Sequence, residues 1–102
     1  MELRHSVARA AFIKDPVGGD EYIHVFGEID IETQESFREA IVSAARSAKR
    51  IVVDLTRCTY IGSQGFTVLV HAQKLTDIAV IAPARIRRLM DVVGLANLLS
   101  EA

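Results

Sequence analysis

Ser63 is the residue of this chain best placed to do or receive chemistry. It stands in Gly62-Ser63-Gln64-Gly65, between an apolar run ending at Asp54 and an apolar segment with helical spacing. A serine at that junction lies beside helix N-terminal N–H groups that lack intrahelical partners. Its hydroxyl can cap the helix, a contribution of about 1 kcal/mol. It can also accept a phosphate, adding roughly −1.5 to −2 charges on a surface whose N–H groups tolerate an anion. The residues alone leave both roles open. Catalysis by Ser63 itself is not expected, because no base can be assigned to it.

Other reactive side chains form no constellation. The loop lacks the Lys-Ser/Thr ending of a phosphate-binding P-loop and the three-glycine spacing of a dinucleotide fold. His5, His24 and His71 fall on separate elements without metal-ligand spacing, so each is expected as a solvent-facing side chain and no metal site is expected. Cys58, the single cysteine, excludes an internal disulfide and fits a reducing compartment. As a half-buried loop thiol with Arg57 beside it, it is assigned no role. No cofactor and no catalytic residue are expected.

The 102 residues suit one domain spanning 1–102, with half the residues hydrophobic and a quarter charged. A formal net charge of −1 gives no field that would favour nucleic acid or an anionic membrane. Apolar runs such as 78–84 are too short to span a bilayer. The N-terminus lacks the apolar core of a signal peptide. A cytoplasmic protein is expected.

The elements that must position Ser63 follow from periodicity. Residues 7–14 alternate, with Ala8, Ala10 and Phe12 on one face, as in a strand near a sheet edge. Residues 15–20, Asp-Pro-Val-Gly-Gly-Asp, read as a turn, and 22–27 as the returning strand of a hairpin. Thr33 is a candidate N-cap for a helix over 34–48, on whose inner face lie Phe37, Ile41, Ala44, Ala45 and Ala48. Residues 50–55 form a strand buried on both faces, followed by a polar loop. In the helix that opens near Ser63, Thr67, His71 and Lys74 follow at i+4, i+8 and i+11. That spacing puts all four on the solvent stripe. Residues 77–82 are a further strand. Pro83 precedes a helix with Ile86, Leu89, Met90 and Val93 at apolar spacing and Arg85, Arg87, Arg88 and Asp91 outside it. Gly94 ends it. Leu98-Leu99 either begins another strand or closes the fold. The order β-β-α-β-α-β-α is an α/β domain with a mixed sheet, an N-terminal hairpin and then alternating helices and strands.

Three segments together, VFGEIDIETQESFREAI, IVVDLTRCTYIGSQGFTVLV and APARIRRLMDVVGL, resemble the STAS domain of bacterial anti-sigma factor antagonists. Gly27, Glu28, Ile29 and Asp30 match the Gly-Glu-hydrophobic-Asp segment before the first helix. Asp54 and Leu55 match the strand-terminal Asp-Leu. Pro83, Ile86, Arg87, Arg88, Gly94 and Leu95 match the C-terminal segment. The resemblance runs in register over about 7–98. It implies a non-enzymatic antagonist that binds a serine-kinase anti-sigma factor when unphosphorylated. The kinase, which carries ATP and Mg²⁺, would phosphorylate Ser63, the position of the first serine in the family's Asp-Ser-Ser-Gly. A metal-dependent serine phosphatase would restore the free form.

The docking surface expected from this resemblance comprises Asp30, the loop 57–62 with Arg57, Thr59 and Gly62, and then Ser63, Gln64, Thr67 and His71. Gly62 replaces the family's Asp and Gln64 its second Ser, which removes a charge beside the acceptor and leaves the backbone free to take positive φ. Those replacements favour an alternative reading: a phosphorylation-independent STAS scaffold, or a cytoplasmic subunit of a signalling complex or membrane transporter.

Overall fold

Glycines at 18, 27 and 94 each hold a positive φ, and each marks a place where the chain must turn or pass close to itself. The computed structural model describes residues 4–7 and 9–100. Strands β1 (Arg4–Val7), β2 (Ala10–Val17) and β3 (Asp20–Ile29) lead into helix α1 (Gln34–Ala45). Strand β4 (Arg50–Ile61), helix α2 (Ser63–Ala72), strand β5 (Asp77–Ile81) and helix α3 (Ala84–Val92) follow. The sheet has five strands in the order β1-β2-β3-β4-β5, antiparallel through β3 and parallel beyond it. The mixed sheet and N-terminal hairpin expected from the sequence are present, with one more strand.

That extra strand arises where the sequence reads as a single strand over 7–14. The chain reverses before Ala10, and Val7 pairs with Ala10. Ala8, assigned above to the inner face, lies outside the described residues; Ala10 and Phe12 are buried as expected. The β2–β3 turn is tighter than the 15–20 segment suggested. Only Gly18 and Gly19 separate the paired Val17 and Asp20, and Gly18 has a φ of 65°. Pro16 belongs to β2. Its pairing lies beyond Ile13, the last residue of β2 that faces a described residue of β1, so its missing N–H leaves no ladder bond unmade there.

At Gly27, with φ 93°, an added Cβ would fall 2.1 Å from the Arg9 carbonyl oxygen. That oxygen accepts the Glu28 N–H at 2.9 Å, so the crossing of chain segments admits only glycine. In β4, Ile51, Val52 and Val53 are all buried, as their apolar run indicated. The strand then continues to Ile61 where a loop was expected. It stays beside β3 through two register shifts, which absorb the polar residues as irregularities of a strand.

One apolar cluster joins the inner sheet face to all three helices. Phe12 stacks on Phe37 at 5.7 Å, and Ile23, Leu55, Leu69, Ile86 and Met90 are fully buried. The α3 pattern is only half borne out. Ile86 and Met90 enter the core, but Leu89 and Val93, which share their apolar spacing, stay 42% and 50% exposed. α1 ends at Ala45 and a turn completes its expected length. After α3 a short 3-10 turn, Ala96–Leu98, leads to Leu99, which makes one parallel bridge to Val80, and Ser100 N–H donates to Val80 O at 2.7 Å. Leu98-Leu99 thus leads into strand pairing beside β5. No helix among the described residues is long and apolar enough to cross a membrane.

Candidate functional site

The site is assembled where the parallel strands end. Ile29 of β3 and Ile61 of β4 are register partners, and Gly62 N–H donates to Ile29 O at 2.9 Å. The next residues, Asp30 and Gly62, therefore leave the sheet side by side. Gly62 occupies the N-cap position of α2 in an extended conformation, φ −94°, and does not use the positive φ open to glycine. The space over Gly62 is filled by the movable ends of two side chains. A Cβ would lie 2.8 Å from Gln64 Oε1 and 3.1 Å from the Tyr60 hydroxyl, because both side chains fold over it. Gly65 is tighter: a Cβ would come within 2.6 Å of Ile61 Cγ1 and 2.9 Å of Ile29 Cγ2. Gly65 N–H closes the first turn on Gly62 O at 3.0 Å.

Ser63 is the first residue of α2 and is exposed. It does not cap the helix, because the cap position belongs to Gly62 and no side-chain cap bond forms. Its carbonyl accepts the Thr67 hydroxyl at 3.0 Å, while its own hydroxyl has no partner among the described residues. Ser63, Thr67, His71 and Lys74 are all exposed, so the solvent stripe is where the spacing put it. Between this stripe and the end of α3 runs a groove of about 280 Å³, lined by Ser63, Phe66, Thr67, Val70, Val93 and Leu95.

Asp30 stands at the same end of the sheet but is already engaged. Its Oδ1 accepts the N–H groups of Glu32 at 2.9 Å and Thr33 at 3.2 Å, which turns β3 into α1. Its Oδ2 pairs with Arg9, which also meets Glu28 at 3.4 Å and Glu32 at 3.1 Å. Desolvation pushes the Asp30 pKa up. The Glu32 N–H, the Arg9 charge and the Thr33 donors outweigh it and hold the carboxyl below its ordinary value. Thr33 is at the N-cap of α1, but its hydroxyl faces backwards. It accepts Asp30 N–H at 2.9 Å and donates to Glu28 O at 2.7 Å, with no cap bond.

The remaining expected residues divide. Gln64 arches back over Gly62, while Thr59 lies exposed on β4 just ahead of it. His71 is one helix turn past Thr67 and borders a second groove, against Arg38 and Val42 of α1. Arg57 turns away. Its guanidinium sits 5.5 Å over the Phe26 ring, and Phe26 alternates with the core residues Ile23 and Val25, so Arg57 lies on the sheet face opposite the helices. Cys58 is buried rather than half-buried. Burial pushes its thiol pKa up despite hydrogen bonds and the nearby Arg85, the opposite of an activated thiol.

That opposite face holds a polar cluster that sequence reasoning missed. His24 Nδ1 donates to Asp54 Oδ2 at 2.7 Å, and its Nε2 lies 3.4 Å from Asp15 Oδ2. Asp54 Oδ1 accepts the Thr56 hydroxyl at 2.7 Å and N–H at 2.9 Å. Desolvation raises the Asp54 pKa, but Thr56 and His24 together bring it below the ordinary value. The pairing was invisible in sequence because His24 and Asp54 meet only through the β3–β4 register. Among the described residues no group of three or more ligating side chains could hold a metal ion.

The family described as "Mlab, STAS domain" matches residues 16–100. No curated protein matches the chain by sequence. Among solved structures, an anti-sigma factor antagonist from Mycobacterium paratuberculosis is 26% identical, with a TM-score of 0.83 over 91% of this chain and 86% of that one. The anti-sigma factor antagonist SpoIIAA in its unphosphorylated form is 20% identical, with a TM-score of 0.77 over 89% and 87%. The Bacillus cell fate determinant SpoIIAA in its phosphorylated form is also 20% identical, at 0.70 over 89% and 90%. The strand order, the helix opening at Ser63 and a family match over nearly the whole chain agree: this protein belongs to the STAS domain family.

Proposed function

We propose that this protein is an anti-sigma factor antagonist that works by partner switching in the cytoplasm. Unphosphorylated, it binds a serine-kinase anti-sigma factor, which then releases its sigma factor. The kinase inactivates it at Ser63, and a metal-dependent serine phosphatase restores it. The observation that carries this reading is the exposed Ser63 hydroxyl, unengaged at the first position of α2, in a fold shared with anti-sigma factor antagonists.

The chemistry asked of this chain is that of a substrate. Ser63 Oγ attacks the γ-phosphorus of kinase-bound ATP, the bond to ADP breaks, and the hydroxyl proton passes to a base on the kinase. What this chain supplies is access and position. The hydroxyl breaks no internal hydrogen bond on modification, and the α2 N-terminus tolerates the added anion. The phosphate then opposes docking through its charge and through the cost of burying it. Incubation with the cognate kinase and ATP tests this directly. The intact mass rises by one phosphoryl group, and Ser63→Ala abolishes the gain. An unchanged mass, or a gain that survives the substitution, rejects the assignment.

One observation favours a second reading. With Gly62 in place of a carboxylate and Gln64 folded over it, no acid stands next to Ser63 in sequence. A STAS scaffold or transporter subunit that never cycles through phosphorylation would need none. A transporter operon around the gene, with no kinase or phosphatase gene nearby, would support that alternative.

A further inference from the structure

The groove beside Ser63 has a far wall that belongs to α3, and that wall extends onto an unusual surface. Val93 and Leu95, on either side of Gly94, face Phe66, Thr67 and Val70 across the groove. Leu89 lies one turn before Val93, and Arg85 one turn before Leu89, so the three form a single row, with Arg88 and Val92 beside it. Leu89, Val92 and Val93 are 42%, 81% and 50% exposed, three aliphatic side chains together in water. Contiguous exposed apolar surface of this kind marks an interaction site. The row begins next to β4, because Arg85 Nη2 donates to Cys58 O at 3.4 Å. It thus starts near the strand end that carries Thr59 and Tyr60 and finishes at the groove that Ser63 borders.

Charge selects what this surface can accept. α3 carries Arg85, Arg87 and Arg88 against a single acid, Asp91. Arg87 and Arg88 form no ion pair among the described residues, whereas Arg9, Arg38 and Arg50 all do. A second copy of the chain fits poorly, since a two-fold contact here would bring arginines against arginines. A lipid surface fits poorly too, since the concave part of the site suits a side chain.

We propose that the groove and the α3 row together dock an acidic amphipathic segment of the partner protein. An apolar side chain of that segment enters between Phe66 and Val93, and flanking carboxylates pair with Arg85 and Arg88. This rests on the partner-switching reading only for the partner's identity, the anti-sigma factor. It also gives the switch its sign: a phosphate on Ser63 stands on the rim of the groove, where the partner's carboxylates must approach.

The test titrates full-length chain against the purified cognate kinase without ATP, after wild-type-like spectra show that each variant folds. Val93→Asp weakens binding on the order of tenfold or more, as expected for a central apolar contact. Arg88→Glu weakens it several-fold, roughly, and the loss shrinks as salt rises. Glu39→Lys, on exposed α1 surface, leaves affinity unchanged. Wild-type affinity in both groove variants overturns this proposal while leaving Ser63 as acceptor. No binding by the wild-type chain overturns the partner-switching reading together with it. Self-association abolished by Val93→Asp would assign the face to a second copy. Sedimentation with phosphatidylserine-containing vesicles, lost in Arg88→Glu, would assign it to a membrane. Either result rejects the acidic partner segment.

Discussion

Ser63 and His24 sit in opposite kinds of polar environment. His24 is held between Asp54 and Asp15, and Asp54 is held in turn by Thr56, so the donors and acceptors of that face are used within the chain. At the other site the Ser63 hydroxyl has no partner among the described residues, and Arg87 and Arg88 of α3 form no ion pair among them. Partial exposure is common to both places. What distinguishes them is whether the hydrogen bonds and charges are already satisfied. A satisfied cluster ties strands together; an unsatisfied one leaves its capacity for another molecule.

Four substitutions bear on this contrast, from largest to smallest effect. Ser63→Ala eliminates phosphorylation by the kinase while shifting unfolding free energy by less than about 0.5 kcal/mol. A larger loss of stability in denaturant melts would show that the hydroxyl serves the fold after all. Gly65→Ala forces a methyl against Ile61 and Ile29. It costs about 2 kcal/mol and impairs modification, because it lifts the turn that carries Ser63. Unaltered melting and phosphorylation would mean that the helix start yields freely.

Asp54→Asn costs about 1 kcal/mol near neutral pH and leaves kinase affinity unchanged. The Asp54 carboxyl has a folded pKa below its ordinary value of 3.8, so its stabilisation is present above that value. It is lost as pH falls through the lower folded value, so Asp54→Asn should flatten the acid limb of the stability profile. An acid limb as steep as the wild type's would place that dependence on Asp30 and other carboxylates. Thr67→Val removes an exposed bond to the Ser63 carbonyl and changes stability by a few tenths of a kcal/mol. A change beyond about 1 kcal/mol would tie the stripe to the fold as firmly as the His24 cluster.

Local regularity decides how much of this was legible in the sequence. The exposed stripe of Ser63, Thr67, His71 and Lys74 followed from helical spacing alone, since neighbours on a helix surface are fixed by sequence separation. The buried run Ile51-Val52-Val53 was equally plain. Of the two roles left open for Ser63, the structure removes the cap, because Gly62 holds the N-cap position in an extended conformation. Leu89 and Val93 have the spacing of core residues, yet α3 inserts only Ile86 and Met90. Periodicity shows which side chains share a face but not how deep a peripheral helix sits. His24 with Asp54, and Arg9 with Asp30, depend on strand register and a chain crossing, which no short-range pattern encodes.

The close seat of Gly65 against Ile61 and Ile29 has a further consequence, in the kinetics of recognition. A serine on a loose loop must be immobilised at each encounter, and that lost freedom subtracts from affinity. Here the first turn of α2 rests directly on the Ile61 and Ile29 side chains, with none of its own at Gly65, so Ser63 is held at one height before any partner arrives. On this chain's side, encounter then needs little local rearrangement, so its rate responds to charge steering. The glycine acts as a spacer of fixed, minimal thickness, and that thickness sets the height at which Ser63 stands on the surface.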